Sequence, residues 1–210
     1  WVLGATTRDD RRRIVELCDA LALELGGDDA QKARAALTNP RARLSQEVAW
    51  LPGVAPKKAW QYVTAVEEQG LALANDAGIS PLARSNLTAA AFDCAEDLSP
   101  AAFAASSIGL ANLLEEIDPS LVMREINEDR EVAGFPMIAD IADIEFEIGE
   151  RRAVCKASVK GALDRMESEH LIEAMLTMVR RSTRDGKEAA PALVEDLVDG
   201  GPLGARLQQG

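Results

Sequence analysis

Asp140, Asp143, Glu147 and Glu150 are the residues of this chain best spaced for chemistry. Steps of three, four and three put all four carboxylates on one face of a helix. They run beside an isoleucine row of Ile138, Ile141, Ile144 and Ile148. Such a face can hold a divalent cation when another helix supplies ligands, and carboxylate-bridged bundles do this with Glu-x-x-His pairs on facing helices. Here Glu167 and His170 form one such pair, and the chain has no second histidine to form another. The expectation is therefore no metal and no cofactor: an acidic face that is solvated or docks a basic partner. A carboxylate metal-dependent enzyme is the alternative.

Other catalytic arrangements find little support. Any Ser/His/Asp or Cys/His system would have to use His170, and no Gly-x-Ser-x-Gly elbow is present. Walker, Gly-x-Gly-x-x-Gly and Cys-x-x-Cys patterns are also absent. His170 falls in step with Met166 and Ala174, so it is expected to be partly buried on a helix seam. Cys18, Cys94 and Cys155 are odd in number and far apart, which favours reduced thiols over a disulfide framework and a cytoplasmic setting. Arg11, Arg12 and Arg13 form the densest basic run, the first turn of a helix and a second candidate for partner contact.

Charge divides the chain. Residues 1–60 hold 10 Lys+Arg against 8 Asp+Glu, whereas the remainder holds 13 against 27 and carries the excess behind the net charge of −12. That balance argues against nonspecific nucleic-acid binding, which needs phosphates neutralised by Lys and Arg. No apolar run approaches the roughly 20 residues of a membrane span. Two prolines and a glycine in Leu51-Pro52-Gly53-Val54-Ala55-Pro56 interrupt the pattern. They predict a linker between a module at 1–52 and an acidic helical domain at 57–199, with a flexible Gly/Pro/Gln tail at 200–210.

Every usable pattern is helical. Pro56, Pro81, Ser99-Pro100 and Asp118-Pro119 open helices with first-turn prolines, two of them behind a capping side chain. Apolar residues then recur in helical phase, as in Trp60, Val63 and Val66 or Ala65; Phe103, Ile108, Leu110 and Leu114; and Val159, Leu163, Met166, His170, Ala174 and Met178, the last set at steps of three and four throughout. Gly134 and Pro136 break the chain once more. The fold class predicted is all-α.

At the front, Trp1-Val2-Leu3-Gly4-Ala5-Thr6 is followed by an apolar face of Ile14, Leu17, Cys18, Leu21, Ala22 and Leu25, then by Leu37-Thr38-Asn39-Pro40-x-x-Arg43. In order and spacing these pieces resemble a J domain, the module that docks on DnaK-type ATPase chaperones. The family's His-Pro-Asp is replaced by Gly26-Gly27-Asp28. Active J domains present Lys and Arg on their second helix, and the matching outward positions here include Glu16, Asp19, Ala20 and Glu24. The resemblance thus implies a helical module, packed through Leu17, Leu21, Leu37 and Val48, that has lost its trigger and its steering charge. Arg8-Asp9-Asp10-Arg11-Arg12-Arg13-Ile14-Val15-Glu16-Leu17 and Trp50-Leu51-Pro52-Gly53-Val54 also resemble stretches of a group of bacterial proteins, a resemblance that brings no activity with it.

These readings combine into a noncatalytic adaptor or chaperone-system accessory whose partner is a protein, either a DnaK-type chaperone or a product of the same operon. The alternative within that setting is a specialised co-chaperone whose divergent DnaK-type ATPase reads the Gly26-Gly27-Asp28 loop.

Overall fold

Polar side chains and first-turn prolines set the helix starts where the sequence places them. The computed structural model describes residues 4–25, 27–69, 71–72 and 76–200, and among these it contains ten helices and no strand. They are α1 (Arg11–Leu25), α2 (Gly27–Thr38), α3 (Pro40–Ala49), α4 (Pro56–Gln69), α5 (Pro81–Cys94), α6 (Pro100–Glu115), α7 (Pro119–Ala133), α8 (Ile141–Asp164), α9 (Ser168–Ser182) and α10 (Ala192–Gly200). Asn39 accepts hydrogen bonds from the Arg41 and Ala42 amides, Ser99 from Ala102 and Asp118 from Ser120, each ahead of a proline that needs no partner there. The chain is all-α.

Two compact units divide the chain, the first being residues 1–61 with 118–151 and the second 62–117 with 152–210. This differs from the linear division expected at residues 51–56. That segment is a packed turn: Leu51, Pro52 and Val54 are buried, and the Val54 amide returns to the Leu51 carbonyl. Gly53 sits there at φ +72°, where an added Cβ would lie 2.9 Å from the Glu125 side chain. Two prolines and a glycine thus build a rigid corner as readily as a flexible joint. The expected tail falls mostly at 201–210, outside the described residues.

In the first unit α1 packs on α2, α2 on α3, and α3 touches α7. Ile14, Cys18, Ala30, Ala133 and Phe135 form a buried cluster, with Leu17, Leu21, Ala22 and Leu37 packed against it. The face expected from the α1 spacing therefore points inward, and Val48 is buried as well. Glu16, Asp19 and Ala20 are exposed, as expected of outward positions.

In the second unit α6 packs against α5, α9 and α10. Its buried residues, Phe103, Ala104, Ser107, Leu110, Ala111, Leu113 and Leu114, cover about half of its circumference, and Ala101, Ala105, Gly109 and Asn112 on the other side are exposed. Phe92 of α5 meets Phe103 edge to face at 5.5 Å. The step from Leu163 to Ala174 does not run through one helix. α8 ends at Asp164, a turn returns the Met166 amide to the Leu163 carbonyl, and α9 starts afresh at Ser168. His170 keeps phase with the buried Ala174 and Met178 on α9, yet it stands in the first turn of that helix and is exposed, not partly buried as expected.

Candidate functional site

The residues singled out by sequence do not converge on one place. Gly26 lies outside the described residues; Gly27 opens α2, and Asp28 is exposed in its first turn, where a carboxylate complements the helix dipole. Arg11 donates to the Thr38 carbonyl at 2.9 Å and so ties the start of α1 to the end of α2. Arg12 and Arg13 both pair with Glu16, one or so turns along the same helix, at 3.0 and 3.5 Å. Much of the basic run is thus answered within its own surroundings.

The acidic row is built from α8 and the residue just before it. Asp140 caps the helix, its Oδ1 accepting from the Ala142 amide at 2.9 Å. Asp143 and Glu150 are exposed and Glu147 is half-buried, while Ile144 and Ile148 beneath them are buried. Among the described residues no group of three or more His, Cys, Asp or Glu side chains is arranged to hold a metal ion. Ile141, expected with the inward row, is partly exposed at the helix start. Phe146 on the same helix and Met137 shortly before it are 65% and 60% exposed. Long apolar side chains left in water in the same segment as unpaired carboxylates describe a surface suited to a partner that is both basic and apolar.

Sequence reasoning missed the most strongly charged place in the first unit, which is internal. Arg43, Glu47, Asp129 and Arg130 are each no more than 2% exposed. The two oxygens of Glu47 accept separately, Oε1 from Arg43 Nε at 2.6 Å and Oε2 from Arg130 Nε at 2.8 Å. Arg43 also donates to the Thr7 and Leu37 carbonyls, and Arg130 to those of Pro40 and Pro136. Asp129 accepts from the Thr7 hydroxyl at 2.6 Å and from Arg8 at 2.7 Å. Arg43 lies 4.0 Å above the Phe135 ring, a cation–π contact. That ring is delivered by Gly134, whose left-handed φ of +69° ends α7 and lets the Phe135 amide return to the Arg130 carbonyl.

This network joins the front segment, α2, α3, α7 and the turn after α7, and it explains why residues 118–151 belong with residues 1–61. Burial pushes the Glu47 carboxyl above its ordinary pKa against the opposing pull of the Arg130 and Arg43 guanidiniums. For this carboxylate the cost of burial exceeds the gain from pairing. A cavity of about 150 Å³, lined in part by Ala5, Ala33, Leu37 and Trp50, reaches the Arg43–Glu47 pair. With both oxygens held by guanidiniums, Glu47 is poorly placed to move a proton there. A signal for the network was present: Val122, Ile126, Asp129, Arg130 and Ala133 keep one helical phase, so two charged residues continue an apolar stripe.

Comparison of the chain with known protein families, curated proteins and solved structures finds no match.

Proposed function

We propose that this protein is a noncatalytic helical adaptor that works by protein–protein contact, as an accessory of a chaperone system, and that it captures a basic, apolar partner segment on the α8 acidic row. The observation that carries the reading is the segment from Met137 to Glu150. It leaves Met137 and Phe146 more than half exposed in the same stretch of chain as Asp143, Glu147 and Glu150. The carboxylates would steer a basic partner at moderate salt, and Met137 and Phe146 would supply the apolar contact that holds it.

The front of the first unit supports the chaperone setting through its resemblance to a J domain and at the same time argues against standard co-chaperone activity. Glu16 and Asp19 stand exposed where a DnaK-type partner expects positive charge. Steady-state phosphate release by a DnaK-type chaperone should therefore be unchanged by a molar excess of this protein; stimulation of several-fold would overturn that part of the reading.

The surface itself is tested with a fluorescent amphipathic peptide of lysine and leucine, titrated by anisotropy. Asp140 holds the α8 cap, so the variant keeps a capping side chain there: Asp140→Asn with Asp143→Lys, Glu147→Lys and Glu150→Lys. Peptide affinity should fall by tenfold or more while the helical circular-dichroism signal persists. Equal affinity for the variant would show that the row only solubilises the chain.

A further inference from the structure

The second unit carries an apolar row that its own core does not use. On α9, Ala174, Met175 and Met178 are buried, whereas Ile172 and Leu176 are 46% and 51% exposed and Val179 is half-buried. Steps of four and three put these last three residues within about 60° of one another around the helix. Glu169, Glu173 and Arg180, all exposed, lie along one edge of that row, roughly 60 to 100° from Ile172. Acid occupies the N-terminal half of this edge and base the C-terminal half. None of the three forms an ion pair among the described residues. Glu173 and Arg180 are separated by about 10 Å along their own axis, beyond the reach of an i,i+4 pair.

We propose that α9 docks on α9 of a second copy of this chain, antiparallel, about a twofold axis near Leu176. The apolar row alone would not choose its occupant; the order of charge along its edge does. With the axis there, Ile172 of one copy faces Val179 of the other and Leu176 faces its own equivalent, an isologous contact in which every residue is used twice. The same operation brings Glu169 and Glu173 of each copy alongside Arg180 of the other. A parallel twofold pairing would instead put the two charged edges on opposite sides of the contact, with no Glu of one copy beside Arg of the other. Three apolar side chains per helix bury less than the roughly 1,200 Å² of a standard interface, so the dimer is weak and exchanges freely. A net charge of −12 also repels two copies at low salt, which makes about 150 mM the ionic strength at which to look.

The experiment is sedimentation equilibrium of the full chain between roughly 10 µM and 1 mM. The wild type should pass from monomer toward dimer across that range. Leu176→Asp should weaken association by tenfold or more. Arg180→Glu alone, and Glu169→Arg with Glu173→Arg alone, should each remain monomeric, while an equimolar mixture of those two proteins should associate as well as the wild type. All three variants lie on the surface, and circular dichroism verifies their helix content. A wild type that stays monomeric at the top of the range overturns the proposal. So does association indifferent to Leu176→Asp, which would assign it to another face, or a mixture no better than its components, which would exclude the antiparallel order.

Discussion

The two units differ in how far their buried charges reach, although Ser158 of the second also crosses the sequence to Asp93. In the first, buried charges reach across the sequence: Asp129 to Thr7, Arg130 to Glu47 and Pro40, Arg43 to Thr7. In the second, the buried hydroxyls of Ser85 and Thr88 turn back one turn to the Pro81 and Arg84 carbonyls. What joins its helices is chiefly apolar, centred on Phe92, Phe103 and Leu110. Directional bonds fix which segments meet and at what angle, whereas apolar packing mainly requires that volume be filled. One all-α chain therefore contains a unit tied by a buried charge network and a unit joined chiefly by apolar packing.

The sharpest break of that contrast is at Glu47. Glu47→Ala leaves two guanidiniums buried without their carboxylate and should cost about 3–5 kcal/mol in denaturant unfolding. A loss below about 1 kcal/mol would mean that water replaces the carboxylate and that the network does not hold the unit. Replacing Arg43, Glu47 and Arg130 together by Met, Leu and Met is often harmless at buried triads. Here it should remain destabilising, because four backbone carbonyls lose their donors with it.

Conservative exchanges should separate the units next. Arg43→Lys keeps the charge and loses the fork that serves Glu47, Leu37 and Thr7 at once, so about 2 kcal/mol or more should be lost. Leu110→Met in α6 keeps volume and should cost less than about 1.5 kcal/mol. Equal losses would erase the distinction between bonds and shape. Gly134→Ala forces an L side chain into a left-handed position and should cost about 1–2 kcal/mol, read as a drop in melting temperature, although open space surrounds the added methyl. The smallest expected effect is at a cap: Ser99→Ala removes the acceptor for the Ala102 amide and should cost about 1 kcal/mol.

Much of the helix layout was legible because its causes are local. A capping oxygen and a proline act on amides within three residues, and for this reason Asn39, Ser99 and Asp118 mark helix starts in the sequence as they do in the structure. The inward face of α1 was legible for a similar reason, since Ile14 and Cys18 keep helical phase. Phase misled at a helix end: His170 is in step with Ala174 and Met178 on α9 but stands in its first turn, where burial depends on what packs beside it. The acidic row was visible as a pattern, but not the exposure of Met137 and Phe146 in the same segment, because exposure depends on what else packs nearby.

The sequence by itself determined an all-helical chain, the starts of several of its helices and the row of four carboxylates on α8, since each follows from chemistry within one or two turns. Only the tertiary structure decided that residues 118–151 join residues 1–61, that the proline-rich corner at 51–56 is packed, and that Glu47 stands between two arginines. Those outcomes depend on groups as much as 122 residues apart in the case of Thr7 and Asp129. A charged side chain shows in the sequence that it needs water or a partner, and the partner is named only when folding brings it within about 3 Å.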